Sequence, residues 1–461
     1  MALIRGAMGD IMQQAQRVDI TALADTGKIT GFHILLFALC AGSLIMDGFD
    51  AQAMGFVGPE IRANPELGSN FGNLLSAGNF GLMLGALLFT IIGDRLGRRP
   101  VLIFGTLFYG VLSILTALAT TETQLLVYRF IGGLGLGAVV PNATALIGEY
   151  SPKRLRVTLM MAITVGFTAG AAFGGIVATW LVPDYGWQSV FYFGGIVPIV
   201  IAVLMYFWLP ESLQFLMVRG KTDRITAWIK KVHPSVEVGP DTEYTYAEQG
   251  RKGVPVKFLL ADGRAPVTLL YWFVNFTNLL NLYFLAGVLP TILTDSGLDA
   301  STARIVGTML QVGGVIGTFG FAWLIAKKGF TPMLTVGFAI ASIAIALIGS
   351  PYAMTVVPVL ILIVFVTGWC IIGGQPGLNA LAATYYPTDM RSTGIGWGLG
   401  WGRTGAIVGP QIWAYLQDWE PQSLFLVFAI PAALSAFAML AMHVLLKPKG
   451  GEPAIGRAVG P

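Results

Sequence analysis

Charge is scarce in this chain. Asp, Glu, Lys and Arg make up 11% of its 461 residues, against roughly 25% in soluble domains, which excludes an ordinary solvated fold. Cysteine is nearly absent. The only two, Cys40 and Cys370, both fall in apolar runs, so neither a disulfide framework nor a cysteine-built metal site is expected. The three histidines, His33, His233 and His443, stand at the ends of apolar runs or in the central loop, where none can relay protons through a membrane interior. There is no phosphate-binding loop, so a gradient rather than ATP is the expected energy source. No cofactor, metal or nucleic-acid partner is expected. The first 31 residues carry Arg5, Arg17 and Lys28 and lack the apolar core and cleavage site of a signal peptide, so no cleaved leader is expected.

What the chain has is apolar length. Hydrophobic residues form 55% of it, and runs of about 20 residues, enough to cross some 30 Å of hydrocarbon, recur along its whole extent. The spacing predicts twelve helices, near 32–54, 71–93, 101–120, 124–147, 157–181, 188–209, 267–290, 304–326, 331–350, 354–379, 392–415 and 422–446. Glycine, at 59 residues, is nearly double its usual share of about 7% and lets membrane helices approach closely. Of 28 Lys and Arg, all but four fall in the alternate segments that share one face with the N-terminus. Arg62 and Arg304 lie on the other face, and Arg129 and Arg403 lie inside helices. This asymmetry predicts that both termini are cytoplasmic.

The expected organisation is a cytoplasmic segment 1–31, a six-helix bundle 32–209, a cytoplasmic linker 210–265 of mixed charge with one short amphipathic helix, a second bundle 266–446 and a tail 447–461. The loop EYSPKRLR after helix 4 and the loop YYPTDMRSTG after helix 10 align Pro152 with Pro387 and Arg156 with Arg391. Parallel six-helix repeats produce such a match; chance similarity of two short loops is the alternative.

Two carboxylates inside helix 1 carry the most information about function. Asp47 and Asp50 share a helical face, and a carboxylate at membrane depth costs roughly 2.5–3.5 kcal/mol on insertion scales. Placed together in low dielectric, one of them gains affinity for a proton. A proton-coupling pair is one reading and a structural pair satisfied by neighbouring groups the other. Arg129, about 7 Å in from the outer end of helix 4, lies close to the depth of Asp50 and is a partner for it, or else snorkels to the interface. Arg403 lies about 17 Å along helix 11, near the midplane. No acid in the second half is its evident partner, so a substrate carboxylate is one candidate and a cap on backbone carbonyls another. Trp397 and Trp401 offer a stacking face. Asn275, Asn278, Asn281 and Tyr283 on helix 7, with Gln375 and Asn379 on helix 10, either bridge helices or line a pocket. The pocket reading is favoured for Asn275, Tyr283 and Gln375.

Three further stretches carry a resemblance. GDRLGRRP from Gly93, RFIGGLGLG from Arg129 and PESLQFL from Pro210 resemble the signatures of the major facilitator superfamily. Within it, DGFDAQAMGF and GGQPGLNALAATYYPTDMRSTGIGWGLGWGRTGAIVGP are similar to the aromatic acid:proton symporter family. The resemblance implies an all-α membrane protein with two pseudo-symmetric six-helix bundles. It also implies import of a small aromatic carboxylate with protons across a bacterial inner membrane by a monomer embedded in lipid, not an enzyme. The site would comprise Asp47, Asp50 and Arg129 for protons and Arg403, Asn275, Tyr283, Gln375, Asn379 and Trp397 for substrate. Gly93, Asp94, Arg98 and Glu149 would gate it by ion pairs that hold the cytoplasmic side closed. A porter of sugars or other organic solutes, and a membrane sensor of aromatic acids, are the alternatives.

Overall fold

The computed structural model describes residues 17–232, 236, 238, 242–245, 256–387 and 390–446, without the side chains of Arg17, Asp94, Val157 and Lys231. Among these residues eleven helices are long and apolar enough to cross a membrane. They are α1 (Gly31–Phe56), α2 (Phe71–Leu96), α3 (Arg98–Ala117), α4 (Glu122–Tyr150), α5 (Lys153–Tyr185), α6 (Gln188–Trp208), α7 (Ala265–Asp295), α8 (Ala300–Lys328), α9 (Phe330–Ile348), α10 (Val357–Tyr385) and α12 (Pro421–Leu445). The twelfth, α11 (Arg391–Leu416), is diluted by glycine and carries Arg391 and Arg403, which lowers its apolarity without shortening it. All twelve expected spans are present, most of them a few residues longer than the apolar runs.

Helix α4 is interrupted at Gly137–Ala138, between Glu122–Leu136 and Val139–Tyr150. Pro141 has no N–H to give the Gly137 carbonyl, and its ring crowds that carbonyl, so the ladder breaks there. Asp299 caps α8, its carboxylate accepting from the Thr302 N–H (2.8 Å), the Thr302 hydroxyl (2.8 Å) and the Ser301 N–H (3.2 Å). These bonds favour the ionised form and hold this carboxyl below the usual range.

The segment outside the bundles is more ordered than its polarity suggests. Arg17–Asp19 (β1) pairs in parallel with Glu243–Thr245 (β2), and the helix Ile20–Thr26 follows, tied by Asp25 to Arg156. Among its described residues the linker holds the α-helices Leu213–Val218 and Thr222–Val232, where one short helix was expected. The second buries Ile225, Trp228, Ile229 and Val232, with Trp228 edge-on to Tyr150 at the end of α4.

The two halves are joined on the face away from the linker. There Arg62 pairs with Asp295, and Arg304 donates to Glu60 at 2.6 Å. Ser76 donates to the Ile407 carbonyl (2.9 Å), Asn79 to that of Ala406 (3.2 Å) and Gln411 to Asn73 (2.8 Å), which zips α2 to α11. A Cβ on Gly175 of α5 would collide with Thr308 of α8. Nearer the linker the same helices part: Leu87, Ile91, Phe319, Trp323, Trp397 and Trp401 are exposed, and a Cβ on Gly396 or Gly400 of α11 would meet open space.

Candidate transport site

The site is built on α1, which lies unusually close to α5. A Cβ at Gly48 would collide with the Phe167 carbonyl, and one at Gly170 with that of Ile45, so glycine on each helix allows backbone contact. This closeness fixes α1 and directs Ser43, Asp47 and Asp50, at helical spacing, towards α3, α4 and the opposite half.

Asp50 is fully engaged. Arg129 donates through Nη1 to its Oδ2 at 2.9 Å and through Nη2 to its backbone carbonyl at 3.0 Å. Ser113 Oγ on α3 lies 3.1 Å from both Asp50 Oδ1 and the Phe191 carbonyl. The Arg129 guanidinium stands 5.6 Å from the centroid of the Phe191 ring. Both charges are buried, so the arginine does not snorkel; it faces the carboxylate across the bundle.

Asp47 is the opposite case. Its exposure is 1%, and neither carboxylate oxygen accepts a hydrogen bond. Two charges act on it, Arg403 from the second half and Asp50 one turn away. Among the described residues Arg403 has one side-chain partner, the Tyr283 hydroxyl at 3.2 Å, and no ion pair. A buried carboxylate without bonds thus lies within electrostatic reach of a guanidinium of the other half whose fork is mostly unused. A small open-sided hollow next to Tyr283 is lined by Gln52, Gly78, Asn79 and Arg129 of the first half and Tyr283 and Gly287 of the second.

Other expected site residues lie elsewhere or bond to one another. Gln375 donates to Asn275 Oδ1 at 2.9 Å, Asn278 donates to Gln375 Oε1 at 2.7 Å, and Asn275 donates to the Tyr271 carbonyl at 2.9 Å. This amide ladder bridges α7 and α10, so Asn275 and Gln375 act as a tie between helices instead of a pocket wall. Asn379 Oδ1 is buried without a partner one turn along α10. Trp397 is 47% exposed and stacks on Trp272, centroids 6.0 Å apart; it is not among the residues that line the hollow at Tyr283.

The gating residues form a network within the first half. Arg98 pairs with Glu149, which also accepts from Ser212 Oγ at 2.8 Å. The Arg98 and Arg99 N–H groups donate to Glu211 Oε1 at 3.0 and 3.1 Å, and Gly97, with φ of 103°, turns α2 into α3 there. Gly93 packs on Asn142. The Asp94 side chain lies outside the described residues. The Arg98–Glu149 pair therefore joins the α2–α3 turn, the end of α4 and the start of the linker, and does not cross between halves. Among the described residues, the charged pairs seen to cross are on the far face, at Arg62 and Arg304.

Four polar side chains on α3 were not expected: Thr106, Tyr109, Ser113 and Thr116, all buried. Their spacing of three, four and three residues marks one helical stripe, and that was the available signal. Gln52 on α1 was missed likewise.

Two six-helix halves enclosing a buried site of paired and unpaired charge define a membrane transporter of the major facilitator fold. Residues 36–447 match the Sugar (and other) transporter family, and the chain belongs to it. It is 34% identical over 442 residues to the 4-hydroxybenzoate transporter PcaK of Pseudomonas putida, covering 93% of this chain and 98% of that one. It is 34% identical to the gallate transporter of the same species, covering 92% and 95%. Its fold matches that of the xylose transporter XylE from E. coli in a partially occluded inward open conformation, with TM-score 0.69 and 16% identity, over 91% of this chain and 100% of that one.

Proposed function

We propose that the protein imports a small aromatic carboxylate together with protons, with the linker and both termini on the cytoplasmic side of a bacterial inner membrane. The observation that carries this is Asp47, a buried carboxylate bonded to nothing and set opposite Arg403. While Asp47 is ionised, its charge offsets that of Arg403. Once it takes a proton, Arg403 is left as an uncompensated cation whose planar fork suits a substrate carboxylate. Proton and anion then occupy the site together, and neither is held well alone, which is the thermodynamic content of symport. Tyr283 adds a hydroxyl to the anion end. Asp50, paired with Arg129 and bonded by Ser113, anchors the frame. The aromatic specificity is supported by the named substrates of the relatives at 34% identity. The positive charge on the linker face supports the orientation, and the bonds across the far face make this a cytoplasm-open state. A single chain contains the complete site, in keeping with a monomer.

The test is uptake of radiolabelled 4-hydroxybenzoate in a strain without carriers of its own. Benzoate-type acids should compete and sugars should not, and a protonophore should abolish accumulation. Competition by sugars alone would overturn the reading. Within it, Arg403→Lys keeps the charge and loses the fork. Loss of a charge-assisted bond corresponds to about a 10- to 100-fold rise in KM for the acid; an unchanged KM would move the anion site to Arg129.

A further inference from the structure

Helices α1 and α3 run parallel and are bridged by two side-chain bonds that fix their register. Ser43 Oγ lies 2.9 Å from Thr106 Oγ1, and Ser113 Oγ lies 3.1 Å from Asp50 Oδ1. In both pairs the partners are 63 residues apart, so the offset is constant and residue 47 comes level with Gly110, next to Tyr109. Gly110 has no side chain to offer and packs against the Gly195 carbonyl. Tyr109, on the same buried stripe of α3 as Thr106 and Ser113, stands beside the middle rung, between Ser43–Thr106 and Asp50–Ser113. It is 1% exposed, and its hydroxyl, next to Ser43, makes no hydrogen bond of normal geometry. The charges of Asp47 and Asp50 both act on it. The outer rungs are bonded, while the middle rung pairs a donor without an acceptor with an acceptor without a donor. Burying either alone is disfavoured.

We propose that Tyr109 is a positioning residue for the proton site, its hydroxyl donating to the ionised Asp47 carboxylate and holding it in place for reprotonation. The charged groups around that rung are Asp50 on α1, Arg129 on α4 and Arg403 on α11, with the Tyr283 phenol on α7. From α5 and α6 come Phe167, Gly170 and Phe191, which carry no charge. Of these groups Arg129 is committed to Asp50, and Arg403 faces Asp47 from the opposite half. Tyr109 thus holds the carboxylate from within the first half when the halves separate. This role rests on the reading of Asp47 as the proton carrier.

The test compares Tyr109→Phe, Asp47→Asn and Thr106→Val by the pH dependence of initial 4-hydroxybenzoate uptake and of accumulation in intact cells. A hydrogen bond to a carboxylate favours its ionised form, so removing the donor lets the site keep its proton to higher pH. Tyr109→Phe should move the midpoint of uptake about one pH unit upward and lower kcat, because the proton leaves more slowly, with KM for the acid unchanged. Thr106→Val loosens the adjacent rung without touching the carboxylate, so its midpoint should stay where it is. A Tyr109→Phe midpoint identical to that of the parent, with accumulation lost in Asp47→Asn, would overturn the role of Tyr109 alone. Full accumulation in Asp47→Asn would remove the proton carrier itself, and this proposal with it.

Discussion

Asp47→Asn should abolish concentrative uptake while leaving exchange of labelled for unlabelled acid across the membrane intact. The amide imitates the protonated carboxyl in shape and neutrality, so Arg403 remains available to the substrate anion at every pH. The carrier then shuttles the acid without a proton to release, and the accumulation ratio should fall to about 1. Two features of the structure make the effect this large. Asp47 accepts no hydrogen bond in this structure, so the substitution breaks none that the structure contains. It is also the carboxylate on which the charge of the second half acts. Accumulation ratio under an imposed pH gradient, measured alongside counterflow in vesicles, checks both halves of the expectation. An unchanged ratio would remove Asp47 from the coupling role. Loss of counterflow as well would mean that the substitution disables binding instead of coupling.

Arg129→Ala should behave quite differently, failing through the fold before transport can be judged. It strips Asp50 of two charge-assisted bonds, 2.9 Å to Oδ2 and 3.0 Å to the carbonyl, and leaves a buried carboxylate with only Ser113 beside it. Breaking one side of a buried pair costs about 3–5 kcal/mol, largely because the remaining charge is stranded. The yield of folded protein in detergent and its melting temperature should both drop sharply. Neutralising both partners, as Asp50→Asn with Arg129→Gln, removes the stranded charge and should recover most of the loss. A melting temperature unaffected by Arg129→Ala would mean that the pair contributes nothing to the bundle. Full symport in the double variant would separate the structural carboxylate from the functional one on adjacent turns of a single helix.

Residues 47 and 50 look equivalent in the chain: two aspartates three apart in the same apolar run. Their difference lies in what other helices bring to them. Depth, counted at 1.5 Å per residue, was enough to pair Arg129 with Asp50, because both helices cross the same slab and intramembrane charges pair. It was not enough to show that Arg129 leaves Asp47 untouched, since that depends on rotation about the helix axis and not on height. The same limit explains Asn275 and Gln375. Their polarity was legible, but whether they turned to the cavity or to each other was a matter of which faces of α7 and α10 meet. Trp397 sits at helical spacing from Trp401, and only the separation of α11 from α2 on the linker side shows that this face is not the pocket.

What the sequence determined by itself was everything governed by the cost of charge in hydrocarbon. Positions of the twelve helices, the clustering of Lys and Arg on one face and the short set of charged residues inside the membrane all follow from that one penalty, which acts on each segment independently. Tertiary structure alone decided the relations between segments. It set the register of α1 on α3 that brings Tyr109 to Asp47, the far-face pairs Arg62–Asp295 and Glu60–Arg304, and the pairing of residues 17–19 with 243–245 across more than two hundred positions. These depend on packing and on which state of the two halves is captured, and a local pattern of residue types carries neither.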